Sequence, residues 1–290
     1  MNQLRYRHML HAIVALAGCG SIVAQAADES PPAKSFVYKQ TPQADLKLFV
    51  HYPPGWQATD ARPGIVFFFG GGWTGGRVEQ FEPQAEYLAS RGMVAARADY
   101  RVKSRHQVLP QDCVLDARAA LAWFREHAGE LGVDPQKIVA SGGSAGGHLA
   151  ACTALGPKLA GEPAGDQAAY RPNALVLFNP ALRFDGVPRL MERIAGDEAV
   201  GRAISPTLHL EKASPPTLIL FGTADPLLAQ GEELVERAKP LGVRVEMFAA
   251  ADQRHGFFNR PPWRDRALVA VDKFLESLGY LQGKPTIKGE

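Results

Sequence analysis

From residue 64 to residue 249 the chain repeats one unit, an apolar run of strand length followed by a stretch of helical length, and few folds accommodate that rhythm. The runs are "GIVFFFG" (64–70), "GMVAARADY" (92–100), "KIVASG" (137–142), "ALVLFNP" (174–180), "PTLILFGTAD" (216–225) and "VRVEMFA" (243–249). Near-continuous apolar runs of this length read as strands buried on both faces, which is the condition of a parallel sheet. The stretches 78–91, 111–130, 144–156, 229–241 and 263–279 read as helices; in the second, Cys113, Ala117, Ala120, Leu121 and Phe124 share one side. Strands alternating with helices require crossover connections, and these are right-handed, so helices cover both faces of the sheet.

Two upstream segments differ. "FVYKQ" (36–40) and "DLKLFVHYP" (45–53) alternate apolar and polar residues as antiparallel strands with one wetted face do, and both are expected at the sheet edge. The reading is an α/β fold with a mainly parallel eight-stranded sheet, formed by one domain over 36–280 with a tail at 281–290. Residues 181–213 interrupt the rhythm with mixed charge, Pro188, Pro206 and a short helix near 187–195. An insertion at that point overhangs the carboxyl edge of the sheet, where ligands bind. It is read as a short cap.

The N-terminus has a separate purpose. Arg5 and Arg7, the apolar "MLHAIVALAG" and the small-residue "AQA" ending at Ala26 have the pattern of an export signal over 1–26, followed by a flexible leader at 27–35. "LAGC" ending at Cys19 offers the rival outcome, a lipid-anchored cysteine at a membrane. The Ala-x-Ala site is preferred because the apolar run is short and the site well placed. The expected location is therefore periplasmic or extracellular, with no membrane span. The formal charge is +2, and removal of Arg5 and Arg7 without any acid leaves a neutral protein that has no electrostatic basis for binding nucleic acid. Cys113 and Cys152 remain on predicted helices. An oxidising compartment permits a bridge between them, while two small buried apolar side chains is the favoured reading. No CxxC, HExxH or histidine cluster points to a metal.

"KIVASGGSAGGHLAA" places four glycines around Ser144, where a predicted strand turns into a predicted helix. GxSxG in that context is a nucleophile elbow: the serine adopts a strained backbone that lifts its hydroxyl above the sheet, and side chains on its neighbours would clash. A phosphate loop lacks support, since neither the P-loop lysine nor GxGxxG spacing is present. Serine needs a general base and an orienting acid, which follow in the order acid then histidine. Asp225, closing "LILFGTAD", and His255, in "DQRHGFF", stand at carboxyl ends of strands on the same edge as Ser144. Asp252 is the rival acid, less rigidly held in a loop; His148 is expected to pack, and nothing fixes the orientation of His209. Gly70-Gly71-Gly72 after the first buried run supply the remaining requirement, with the backbone N–H groups of Gly71, Gly72 and Ala145 as oxyanion donors. Trp73, Phe81 and Tyr100 are read equally as pocket or core.

With these motifs in place the chain resembles the α/β-hydrolase superfamily, and within it secreted bacterial acetyl-esterase and feruloyl-esterase-like enzymes related to hormone-sensitive lipase. The likeness spans residues 36 to 280 and rests on "FFFGGGW", "DYR" (99–101), "GGSAGGHLAA", "PPTLILFGTAD" and "HGFF". Phe69 stands where the family's histidine precedes the glycines, so the bracing of that loop must differ. Gly143 stands where the lipase group has Asp. The resemblance implies a serine carboxylesterase that cleaves short acyl esters, acetyl or feruloyl, small or on plant polysaccharide, without a cofactor. An amide or peptide hydrolase resembling arylformamidase or prolyl peptidase is the alternative, and a non-catalytic glycan-binding scaffold the minor one.

Overall fold

The computed structural model describes residues 33–162 and 165–289. The expected signal at 1–26, Cys19 and most of the leader lie outside these residues.

The eight strands are β1 (Lys34–Gln40), β2 (Asp45–His51), β3 (Arg62–Phe68), β4 (Val94–Ala98), β5 (Val133–Gly143), β6 (Ala174–Phe178), β7 (Thr217–Gly222) and β8 (Val245–Ala250). They form one sheet in the order β1-β2-β4-β3-β5-β6-β7-β8, antiparallel where β2 meets β1 and β4 and parallel from β4 to β8. One expectation is corrected here. Only β1 is an edge strand at that end, because β2 pairs on its other side with β4 through Leu48–Ala98 and Val50–Ala96. The alternation of β2 records a wetted face, and it carries no information about strand neighbours.

The parallel strands are buried on both faces because successive side chains enter different cores. Val66 and Phe68 of β3 pack on one side with Leu175, Leu177, Ile219 and Phe221. Ile65 and Phe67 pack on the other with Val139, Val176, Phe178 and Leu220. The first core is covered by α2 (Pro110–Glu126), α3 (Ala145–Ala154) and α4 (Leu228–Ala238), and the second by α1 (Glu82–Ser90) and α5 (Trp263–Ser277). At about 25 cal/mol per Å² of apolar area removed from water, the two cores dominate the stabilisation of the fold.

Arg97 is a buried charged residue within β4, and it arranges what precedes α1. It donates to Glu82 Oε1 (2.7 Å), to the carbonyl of Val78 (3.3 Å) and to His51 Nε2 (3.0 Å), so its charge is paired and its donors are used. This fixes the 3-10 turn Val78–Phe81 against the sheet. The insertion 181–213 contains the expected short helix as Pro188–Met191 and Glu192–Ile194, and adds a further turn at Glu198–Ala203.

Candidate active site

Ser144 follows β5 and precedes α3 with φ 54° and ψ −116°, a conformation costing about 1–3 kcal/mol that persists only where its surroundings enforce it. The enforcement is close packing. The Ser144 N–H donates to the Phe178 carbonyl at 2.8 Å. A Cβ on Gly146 would lie 2.0 Å from the Phe68 carbonyl oxygen, and one on Gly143 would lie 2.4 Å from the Phe258 ring. Only glycine lets α3 approach β3 so closely.

The structure brings the three expected side chains together. His255 Nε2 lies 2.8 Å from Ser144 Oγ, and His255 Nδ1 lies 2.8 Å from Asp225 Oδ2. The Asp225 side chain has no exposed surface and its other oxygen accepts the Leu227 N–H at 2.9 Å. An ionised carboxylate only accepts, so Nδ1 donates and Nε2 is left free to take the serine hydroxyl proton. Asp252, the rival acid, is exposed and its hydrogen bond runs from its own N–H to Thr223.

The glycine loop that follows β3 faces this group. Gly71, Gly72 and Trp73 have successive φ values of 134°, 62° and 59°. The N–H groups of Gly71, Gly72 and Ala145 meet no acceptor among the described residues, whereas that of Gly70 donates to Gln80 Oε1 at 2.6 Å. Idle donors on the loop whose Gly70 lies against Ser144, and at the residue after the serine, are of the kind that stabilise negative charge on a carbonyl oxygen.

The structure also answers how the loop is braced with Phe69 in place of histidine. Phe69 stacks on Tyr100 at 4.0 Å, and the Tyr100 hydroxyl donates to the Phe69 carbonyl at 2.7 Å. Gln80 holds Gly70 from the side that Arg97 positions. Trp73 donates from Nε1 to His148 Nδ1 (3.2 Å), and His148 Nε2 donates to the Ile204 carbonyl (2.8 Å), tying loop, α3 and insertion together. Burial lowers the His148 pKa to about 4 and keeps it neutral, as this bonding requires. Trp73, Tyr100 and Phe81 are thus buried supports; Phe81 stacks on Phe258 beneath Gly143.

Asn179 escaped the sequence reading. It directly follows β6, is fully buried, and accepts the Gly256 N–H on Oδ1 at 3.1 Å. That bond orients its amide, leaving Nδ2 3.3 Å from His255 Nε2. The available signal was a polar residue closing a buried strand on the edge that also carries Ser144 and Asp225. Gln80 and Asn259, joined at 3.0 Å, escaped likewise, having no motif. His209 instead contacts the Arg202 carbonyl and lines a separate cavity of about 380 Å³ with Gln167, Arg171 and Glu211. Cys113 and Cys152 are free, buried thiols.

A serine at a strand-to-helix turn, an acid and a histidine after later strands, and a glycine loop after an earlier one define an α/β hydrolase. Comparison with known proteins gives the same class. The family model described as BD-FAE matches residues 50–169, and the model described as alpha/beta hydrolase fold matches residues 189–259. Esterase 2 of the planctomycete Thermogutta terrifontis is 46% identical with a TM-score of 0.81, the alignment covering 88% of this chain and 96% of that one. That esterase has been solved with propionate bound, with butyrate bound and phosphonylated by sarin. The carboxylesterase NlhH of Mycobacterium tuberculosis is 28% identical over 234 residues, 74% of this chain and 72% of the relative. The chain belongs to the α/β-hydrolase-fold carboxylesterases and is a carboxylic ester hydrolase.

Proposed function

We propose that the chain is a serine carboxylesterase acting on short acyl esters through an acyl-enzyme. Ser144 Oγ attacks the ester carbonyl while His255 Nε2 takes its proton. The C=O π pair moves to the carbonyl oxygen, which the N–H groups of Gly71, Gly72 and Ala145 receive. Collapse expels the alcohol, protonated by His255; water then attacks the acyl-serine with His255 again as base, and the second collapse breaks the acyl–Oγ bond, releasing the carboxylic acid as His255 returns the proton to Ser144, while Asp225 holds the imidazole tautomer throughout. The observation that carries this reading is the unbroken Ser144–His255–Asp225 series, with both contacts at 2.8 Å.

The acyl group we assign is short, acetyl or a little longer, with feruloyl esters and acylated plant carbohydrate as the extended substrate class. The propionate and butyrate held by the T. terrifontis esterase support the short chain. An exported enzyme carrying the signal at 1–26 fits a polymeric substrate outside the cell.

A panel of aryl esters of increasing acyl length, a feruloyl ester, acetylated xylan and aryl anilides tests the reading. Activity highest from acetyl to butyryl and absent on anilides is expected, with S144A lowering kcat by about 10⁴-fold or more. Anilide cleavage exceeding ester cleavage would overturn it.

A further inference from the structure

Arg193 belongs to the insertion, in the turn Glu192–Ile194, yet its guanidinium reaches the glycine loop 121 residues earlier in the chain. Nη1 donates to the Gly72 carbonyl at 2.8 Å and to Thr74 Oγ1 at 3.2 Å, and the group lies over the Trp73 ring, 5.7 Å from its centroid. A methyl group on Gly72 would be 3.5 Å from Nη1, so the cation is packed against the backbone of the loop.

The charge balance around it is unusual. Of the five acids of the insertion, Asp185 is shared by Arg183 and Arg202 and Glu211 pairs with Arg171, and no carboxylate pairs with Arg193 among the described residues. Its Nε–H is buried and has no acceptor there. A half-buried cation with no counter-charge and an unused donor costs free energy at rest. That cost is recovered where negative charge develops nearby, and the adjoining idle N–H of Gly72 is where the proposed reaction places it.

From this geometry we propose that Arg193 is a positioning residue through which the insertion controls the oxyanion site. Its Nη1 holds the Gly72 carbonyl and so the Gly72–Trp73 peptide plane, in which Trp73 has φ 59°, steadying the loop that presents the Gly72 N–H, and its uncompensated charge favours the tetrahedral oxyanion over the neutral ester. Seating of the insertion and competence of the oxyanion site are then one event. The proposal rests on the serine-esterase reading above.

The test compares R193M, which keeps packing over Trp73 but loses the charge and the Nη1 donor, with R193K, which keeps the charge without the guanidinium, and with R202A, which breaks an exposed ion pair elsewhere in the insertion. Folded sites are counted by phosphonate titration. For R193M, kcat on an aryl acetate is expected to fall about 10- to 100-fold with KM within twofold. Phenylboronic acid binds by accepting Ser144 Oγ on boron and becoming a tetrahedral anion, so its Ki should rise by a similar factor. R193K is expected to lie between R193M and the parent, and R202A to match the parent. A kcat and boronate Ki within twofold of the parent in R193M, or a loss confined to KM, overturns the proposal. Should R193M not fold, the same result in R193K overturns it. S144A, run alongside, separates the two claims: an active S144A defeats the serine-esterase reading, whereas an inactive S144A beside a normal R193M defeats only the role of Arg193.

Discussion

Asn179 illustrates how one buried amide serves the proposed reaction centre. With φ 35° and no exposed surface, it spends its backbone N–H on the Leu220 carbonyl, its Oδ1 on Gly256 and its Nδ2 toward His255. It therefore joins the ends of β6 and β7 to the loop that carries the histidine. Only an unprotonated Nε2 accepts its donor, which favours the tautomer in which Nδ1 faces Asp225. Replacing Asn179 with alanine leaves the Gly256 N–H without its acceptor, at about 1–3 kcal/mol. Steady-state kinetics of N179A should show kcat reduced about 10-fold with KM nearly unchanged. A raised KM with normal kcat would assign Asn179 to substrate binding instead.

Among the elements, the crossing of α3 over β3 decides whether the serine is presented at all. The contact has no slack: the Gly146 site opposes two backbone carbonyls, Phe68 and Phe69, neither of which can rotate away. G146A should cost about 3 kcal/mol and lower the melting temperature by roughly 10 °C. G129A, where a new Cβ meets nothing within 4 Å, should leave it unchanged. Equal melting temperatures for the two would refute the packing argument. The same crossing explains what was legible. "GGSAGG" announces a tight turn because glycine there answers a steric demand, and the doubly buried runs announce parallel strands because no polar face interrupts them. The place of β2 inside the sheet was hidden, since pairing partners leave no periodicity. The break of the predicted helix 111–130 at His127, whose ring bonds the Trp123 carbonyl, was hidden too, because apolar spacing continues across it. Arg193 acts on a backbone carbonyl 121 residues away, and Gln80 bonds the Gly70 N–H and the distant Asn259 side chain, and such contacts demand no particular spacing.

At the level of the whole molecule, two neutral histidines make stability depend on pH. Burial lowers His148 to about 4, and burial with the neighbouring Arg97 lowers His51 to about 4. An unfolded histidine titrates near 6.5, so between those values the unfolded chain binds more protons than the folded one. Their contribution is fully present above pH 6.5 and is lost as pH falls toward 4, at up to about 3 kcal/mol for a histidine shifted this far. The urea midpoint should therefore fall steadily from pH 6.5 to pH 5, and H148Q should flatten part of that slope. An unchanged midpoint across this interval would mean that His148 and His51 are protonated without penalty. His148 also links Trp73 to Ile204, so acidification is expected to loosen the glycine loop and the insertion together.

The catalytic account depends on Ser144 Oγ being the atom that bonds to the substrate. Mass spectrometry of peptides from the protein treated with an aryl phosphonate tests that most directly. The account predicts one phosphonyl group per chain, carried by the peptide containing Ser144, with labelling lost in S144A and slowed in H255A. A modified but fully active enzyme, or a stoichiometric adduct on any other residue, would contradict it.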